Sequence, residues 1–148
     1  MKRIVVMVAT LLLGVGAVMA QQDALKNAQT YMKGNGKNAG ALAAMVKGEK
    51  PYDQATVDTA FAQFEDTIKN LPTLFPESIK GLKAEGDYSA SPKIWEDKAG
   101  FSEHIASFGK VVSEAKAQIK DLDSLKAAFP AVGKQCGGCH ETFRVKNS

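Results

Sequence analysis

Phe101, Ile105, Phe108, Val112, Ala115, Ile119 and Leu122 recur at alternating steps of four and three. Lys98 stands just ahead of them, and Glu103, Lys110, Glu114, Lys116 and Lys120 fall between them. Such a stripe is the seam of a helix packed against other helices. Val57, Phe61, Phe64, Ile68 and Leu71 repeat the pattern behind Asp53, a good N-cap side chain, and Pro72 stops it. Another stripe starts near Asp123 or Ser124 and runs through Leu125, Phe129, Val132, Cys136, Cys139 and Phe143. Pro130 lies inside it and predicts a kink or an irregular first turn. No segment shows strand-like alternation of any length.

The remaining helical segment spans about Asp23 to Val46, with Leu25, Met32, Ala39, Leu42 and Val46 on one face. Gly34-Asn35-Gly36 reads locally as a turn. A helix running through it is nevertheless expected, because two separate pieces would be too short to hold themselves. Between the second and third helices, Pro72 to Pro92 forms a long connection. Phe75, Ile79, Leu82, Tyr88, Ile94 and Trp95 give this region apolar material to pack back onto the bundle. Short links flank this long one, so the expected fold is all-α, an antiparallel up-down-up-down four-helix bundle.

The segment before these helices reads as a targeting signal. Lys2 and Arg3 precede an almost unbroken apolar run from Ile4 to Val18, and Val18-Met19-Ala20 supplies the small residues of a cleavage site. Residues 1–20 are therefore expected to be a signal peptide, and residues 21–148 one bundle domain in the periplasm. An uncleaved membrane anchor is the alternative; the interrupting glycines and the missing basic stop-transfer cluster favour cleavage. Losing Lys2 and Arg3 from 19 basic residues leaves 17 against 16 acidic ones, a balance of +1. That balance argues against nucleic acid as a partner. No membrane association is expected after cleavage.

The chain has two cysteines, and both belong to Cys136-Gly137-Gly138-Cys139-His140. So close a pair staples no fold. The spacing is the c-type haem attachment signature. On a helix, residues three and four apart share a face, so both thiols and the imidazole project together. The thiols can add to the two porphyrin vinyl groups while His140 reaches the iron. Gly137 and Gly138 are expected to leave room for the macrocycle. A thioredoxin-like redox pair would want its first Cys at a helix N-terminus after a strand. A structural zinc site would need a fourth ligand, and His104, expected to be a partly exposed residue, flanks the seam of the third helix.

Haem iron has a second axial position, and its occupant separates electron carriers from gas binders. In an antiparallel bundle the start of the first helix lies beside the end of the last. Met32 stands about 15 Å along the first helix at about 1.5 Å per residue, where it can face His140 across one haem. Met45 would sit roughly 20 Å further on, at the far end. A thioether ligand would raise the potential and leave no open coordination site. Spacing alone leaves ordinary core filling equally open for Met32. Gly34 and Gly36 would let the backbone pass close to the haem, or are a weak spot in the helix.

Over essentially its whole mature length the chain resembles the class II c-type cytochromes, the cytochrome c′ family. The likeness rests on the C-terminal Cys136-Gly137-Gly138-Cys139-His140 followed by Phe143-Arg144, on Pro92-Lys93-Ile94-Trp95, on Leu71-Pro72-Thr73-Leu74-Phe75-Pro76, and on Val46-Lys47-Gly48 with Pro51-Tyr52-Asp53. Counting back from Val46-Lys47-Gly48, the distal position, usually Leu or Phe in five-coordinate members, falls on Met32. The Arg often found four residues earlier is Ala28 here. These departures resemble the low-spin, Met/His-ligated cytochrome c-556 branch. The resemblance implies a four-helix bundle with one covalent haem c, held by Cys136 and Cys139, with His140 and Met32 on the iron. It implies electron transfer with redox partner proteins rather than enzymatic chemistry. The alternative is a five-coordinate protein that binds NO or CO, and a thiol oxidoreductase is a third reading. Arg144 is a candidate propionate contact, or simply a basic residue favoured at a helix C-terminus. Family members are often dimers through their first two helices, and both a homodimer and a monomer are compatible with the sequence.

Overall fold

The computed structural model describes the backbone of residues 2–147 and side chains from Val18 onward. Helix α1 spans Lys2–Val46, α2 Gln54–Asn70 and the short turn α3 Lys93–Glu96. Helix α4 follows at Lys98–Gln118 and α5 at Leu122–Phe143. The signal segment expected at residues 1–20 lies mostly where side chains are not described. Among the described residues, no helix is long and apolar enough to cross a membrane.

The ends of these helices follow from local chemistry. Asp53 caps α2 by accepting from the Thr56 amide at 2.9 Å, and the helix stops at Asn70, where Leu71–Thr73 tightens into a 3-10 turn around Pro72. Asp121 and Ser124 form a reciprocal capping box at the start of α5. That box corrects one expectation: α4 ends at Gln118, Ile119 is extended, and Leu122 opens α5 rather than closing the α4 seam. Hydrogen bonds from the Thr56 and Ser124 hydroxyls, joined by the amide bonds that cap α2 and α5, stabilise the charged carboxylates and hold Asp53 and Asp121 below the usual Asp range. Helix α5 runs on past Pro130 to Phe143.

Helix α1 is unbroken through Gly34-Asn35-Gly36. The reason lies in α2: a Cβ on Gly34 would come within 3.1 Å of the Gln63 side chain, so the glycine serves helix approach instead of a turn. Beside it the fully buried Thr67 hydroxyl lies 2.8 Å from Asn35 Oδ1 and 2.9 Å from the Gln63 carbonyl, and accepts from Gln63 Nε2 at 3.2 Å. Thr67→Val should therefore cost about 1–3 kcal/mol by stranding these partners. Urea unfolding would read the loss, and Thr67→Ser should recover most of it.

Two apolar clusters fill the bundle. One joins Leu42, Met45, Phe61, Phe64, Phe108, Val112, Leu125 and Val132, so Met45 belongs to this far cluster as expected. The other joins Ala28, Leu71, Leu74, Ile79, Ile94, Trp95, Phe101 and Phe143. The long α2–α4 connection thus packs back through Leu74, Ile79, Ile94 and Trp95, whose indole N–H donates to the Phe75 carbonyl at 3.0 Å. Leu82 and Tyr88, expected to help, are exposed. The chain also contains strands, which the sequence pattern did not suggest. Tyr88–Ala90 (β1) pairs antiparallel with Arg144–Lys146 (β2), placing Tyr88 opposite Lys146 and Ala90 opposite Arg144.

Candidate functional site

A cavity of about 740 Å³ opens between α1, α4, α5 and the β1 segment, within the roughly 300–1,000 Å³ typical of ligand sites. Met32 from α1 and Cys136, Cys139 and His140 from α5 all line it, as does Arg144 just past the end of α5. The five residues expected to anchor or ligate the haem are thus brought to one cavity, from two different helices and the segment after α5. The rest of the lining is largely apolar, including Leu25, Ala28, Phe75, Ile94, Phe101, Ile105 and Phe143.

The register of α5 explains how the motif arrives there. Leu125 and Val132 are buried on its inner face, and continuing that face brings Cys136 against the far cluster and Cys139 against the near one. The thiols therefore bracket the cavity along the helix. Gly137 and Gly138 are not among the cavity-lining residues, because one and two places past Cys136 the helix has turned away. Of the two glycines in Gly34-Asn35-Gly36, Gly36 lines the cavity while Gly34 is committed to α2. Ala28, 4% exposed, leaves short apolar wall where an arginine would put a charge.

Electrostatics suit a ligand set better than a reactive thiol pair. Burial pushes both cysteine pKa values up, and the neighbouring Cys136 adds to the effect on Cys139. A redox-active thiol needs the opposite shift. Burial, and secondarily the Arg144 charge, push the His140 pKa below the ordinary value, so its imidazole is neutral near pH 7 and keeps a lone pair for a metal. Arg144 places its guanidinium carbon 4.1 Å from the Tyr88 ring centroid, a cation–π contact at the cavity rim.

His104 is half-buried, as expected of a partly exposed residue flanking the seam, yet it also lines the cavity, edge-on to Phe143 with centroids 5.4 Å apart. Its position three residues after Phe101 and four before Phe108 was the available signal. The β1 segment was not legible as part of the site. Two thiols, an imidazole and a thioether around a mainly apolar cavity form a donor set that fits a covalently anchored haem.

Comparison with known proteins agrees. The family profile described as Cytochrome C′ matches residues 23–144. Cytochrome c-556 of Rhodopseudomonas palustris is 54% identical over 147 residues, covering 99% of both chains. The solved oxidized cytochrome c556 of that organism superimposes with a TM-score of 0.76 at 55% identity, over 86% of this chain and 99% of the other. Cytochrome c′ of the same organism also gives 0.76, at 39% identity over 85% and 98%.

Proposed function

Because the chain belongs to the cytochrome c′ family of class II c-type cytochromes, we propose that it is a low-spin electron-transfer protein in which His140 and Met32 are the two axial iron ligands. The observation that carries this reading is that Met32, on α1, lines the same cavity as Cys136, Cys139 and His140 on α5. The bound haem supplies a one-electron couple. The chain's own residues do the rest. Cys136 and Cys139 anchor the macrocycle through thioethers, and neutral His140 offers its lone pair. Phe101, Phe143 and Ile105 keep water from the site, which favours a stable potential over ligand exchange. Arg144, already at the rim, holds a propionate. No substrate chemistry is assigned to any residue.

Cleavage after Ala20 releases the protein into the periplasm, where its partners are redox proteins. The family match beginning at residue 23, just beyond the cleavage site, supports that boundary.

The test uses the purified native protein. Its ferric absorption spectrum is expected to be low-spin, and its ferrous form should take up carbon monoxide poorly. Ready uptake by the unmodified protein would instead assign a five-coordinate, gas-binding site.

A further inference from the structure

Residues 84–90 form a strap along one side of the cavity, and all of them line it. Little apolar burial holds the strap. Apart from Ser89 at 8% exposure its residues are exposed or half-buried. Hydrogen bonds from two directions do the holding. On one side Gln29 of α1 donates Nε2 to the Glu85 carbonyl at 2.6 Å. On the other, Asn147 uses its whole side chain: Nδ2 donates to the Ala84 carbonyl at 3.1 Å and the Gly86 carbonyl at 2.6 Å, and Oδ1 accepts from the Ser89 hydroxyl at 2.6 Å. Its backbone amide donates to the Asp87 carbonyl at 2.7 Å. The Ala84 amide closes the circuit by donating to Ser89 Oγ at 2.9 Å. Gly86, at φ +93°, permits the turn that aims these carbonyls inward to one side chain.

The two clamps come from the two cavity walls. Gln29 lies three residues before Met32 on α1, and Asn147 seven after His140, beyond α5. We propose that Asn147 is a positioning residue that latches the strap Ala84–Ala90 over the haem cavity, and that the latched strap sets how fast small ligands and water reach the site. The inference rests on haem occupying this cavity and not on Met32 as its ligand. Segments with few apolar anchors open locally at low cost, and their hydrogen bonds decide that cost. Removing the Asn147 side chain strands a buried hydroxyl and two carbonyls, while the backbone pairing of β1 with β2 remains.

The experiment uses holoprotein in a Met32→Ala background, where the iron would be open to carbon monoxide. Adding Asn147→Ala should raise the association rate about tenfold. The amides of residues 85–88 should exchange hydrogen faster while those of α2 and α4 keep their protection. Gln29→Ala, at a half-buried site outside the Asn147 network, should act in the same direction, and it carries the test if Asn147→Ala fails to fold. Unchanged rates in the variants that fold overturn the proposal. So does a faster rate with equal loss of protection throughout the bundle, since that means general loosening. If the native protein already binds carbon monoxide readily, the Met32 reading fails, and the strap is tested in the native background instead.

Discussion

Replacing Cys136 and Cys139 together by Ala is expected to give a mature chain with no covalently held haem. The intact mass of the purified protein should equal that of the polypeptide alone, and acidified organic solvent should extract any pigment. The reason is chemical: these are the only sulfhydryl groups in the chain, and both line one cavity. Either single replacement should leave one thioether and a weaker attachment. The effect on the fold should also be large. Cys136 packs on the far cluster and Cys139 on the near one, with a cavity of about 740 Å³ alongside, the space proposed for the cofactor. A domain is held by only about 5–15 kcal/mol in total, and a tightly bound group that favours the folded state supplies part of it. The double variant should therefore melt earlier and less cooperatively, as thermal unfolding followed by circular dichroism would show. Pigment that survived solvent extraction in the double variant would remove both cysteines from the attachment chemistry.

Met32→Ala is expected to convert a low-spin ferric spectrum to a high-spin one and to let the ferrous protein bind carbon monoxide readily. Alanine is too short to reach the iron and offers no donor atom, and the side chain it replaces lies on the cavity wall opposite the helix that carries His140. The reduction potential should fall, because a thioether favours the ferrous state. Stability should fall less than in the cysteine variant, since His140 and both thioethers remain. An unchanged absorption spectrum would show that Met32 is only core filling, as seam methionines commonly are. Met45→Ala provides the contrast. Met45 is 2% exposed in the far cluster, so that variant should lose about 2–5 kcal/mol of stability with no change in spin state.

Most of the bundle was legible because helix seams and caps are local properties. The steps of four and three in α2, α4 and α5, and the Asp53 cap, are set by residues within one turn of each other. The anchoring motif was legible for the same reason, since its thiols and imidazole share one helical face. Where neighbours in sequence conflicted, the outcome depended on something distant. Gly34-Asn35-Gly36 has the local chemistry of a turn, and it stays helical because Gln63 and Thr67 of α2 meet it there. Leu122 fits the α4 stripe by spacing, yet the Asp121–Ser124 capping box assigns it to α5.

The sequence by itself determined the seams of α2, α4 and α5, the Asp53 cap and the chemistry of the attachment motif, because each is written within a few residues. Only the tertiary structure decided that Met32 lines the cavity with His140, that His104 lines it too, and that a three-residue strand and Asn147 after the last helix tie down residues 84–90. Those outcomes join residues more than thirty positions apart, and their partners are selected by how whole helices dock, a property no local pattern encodes.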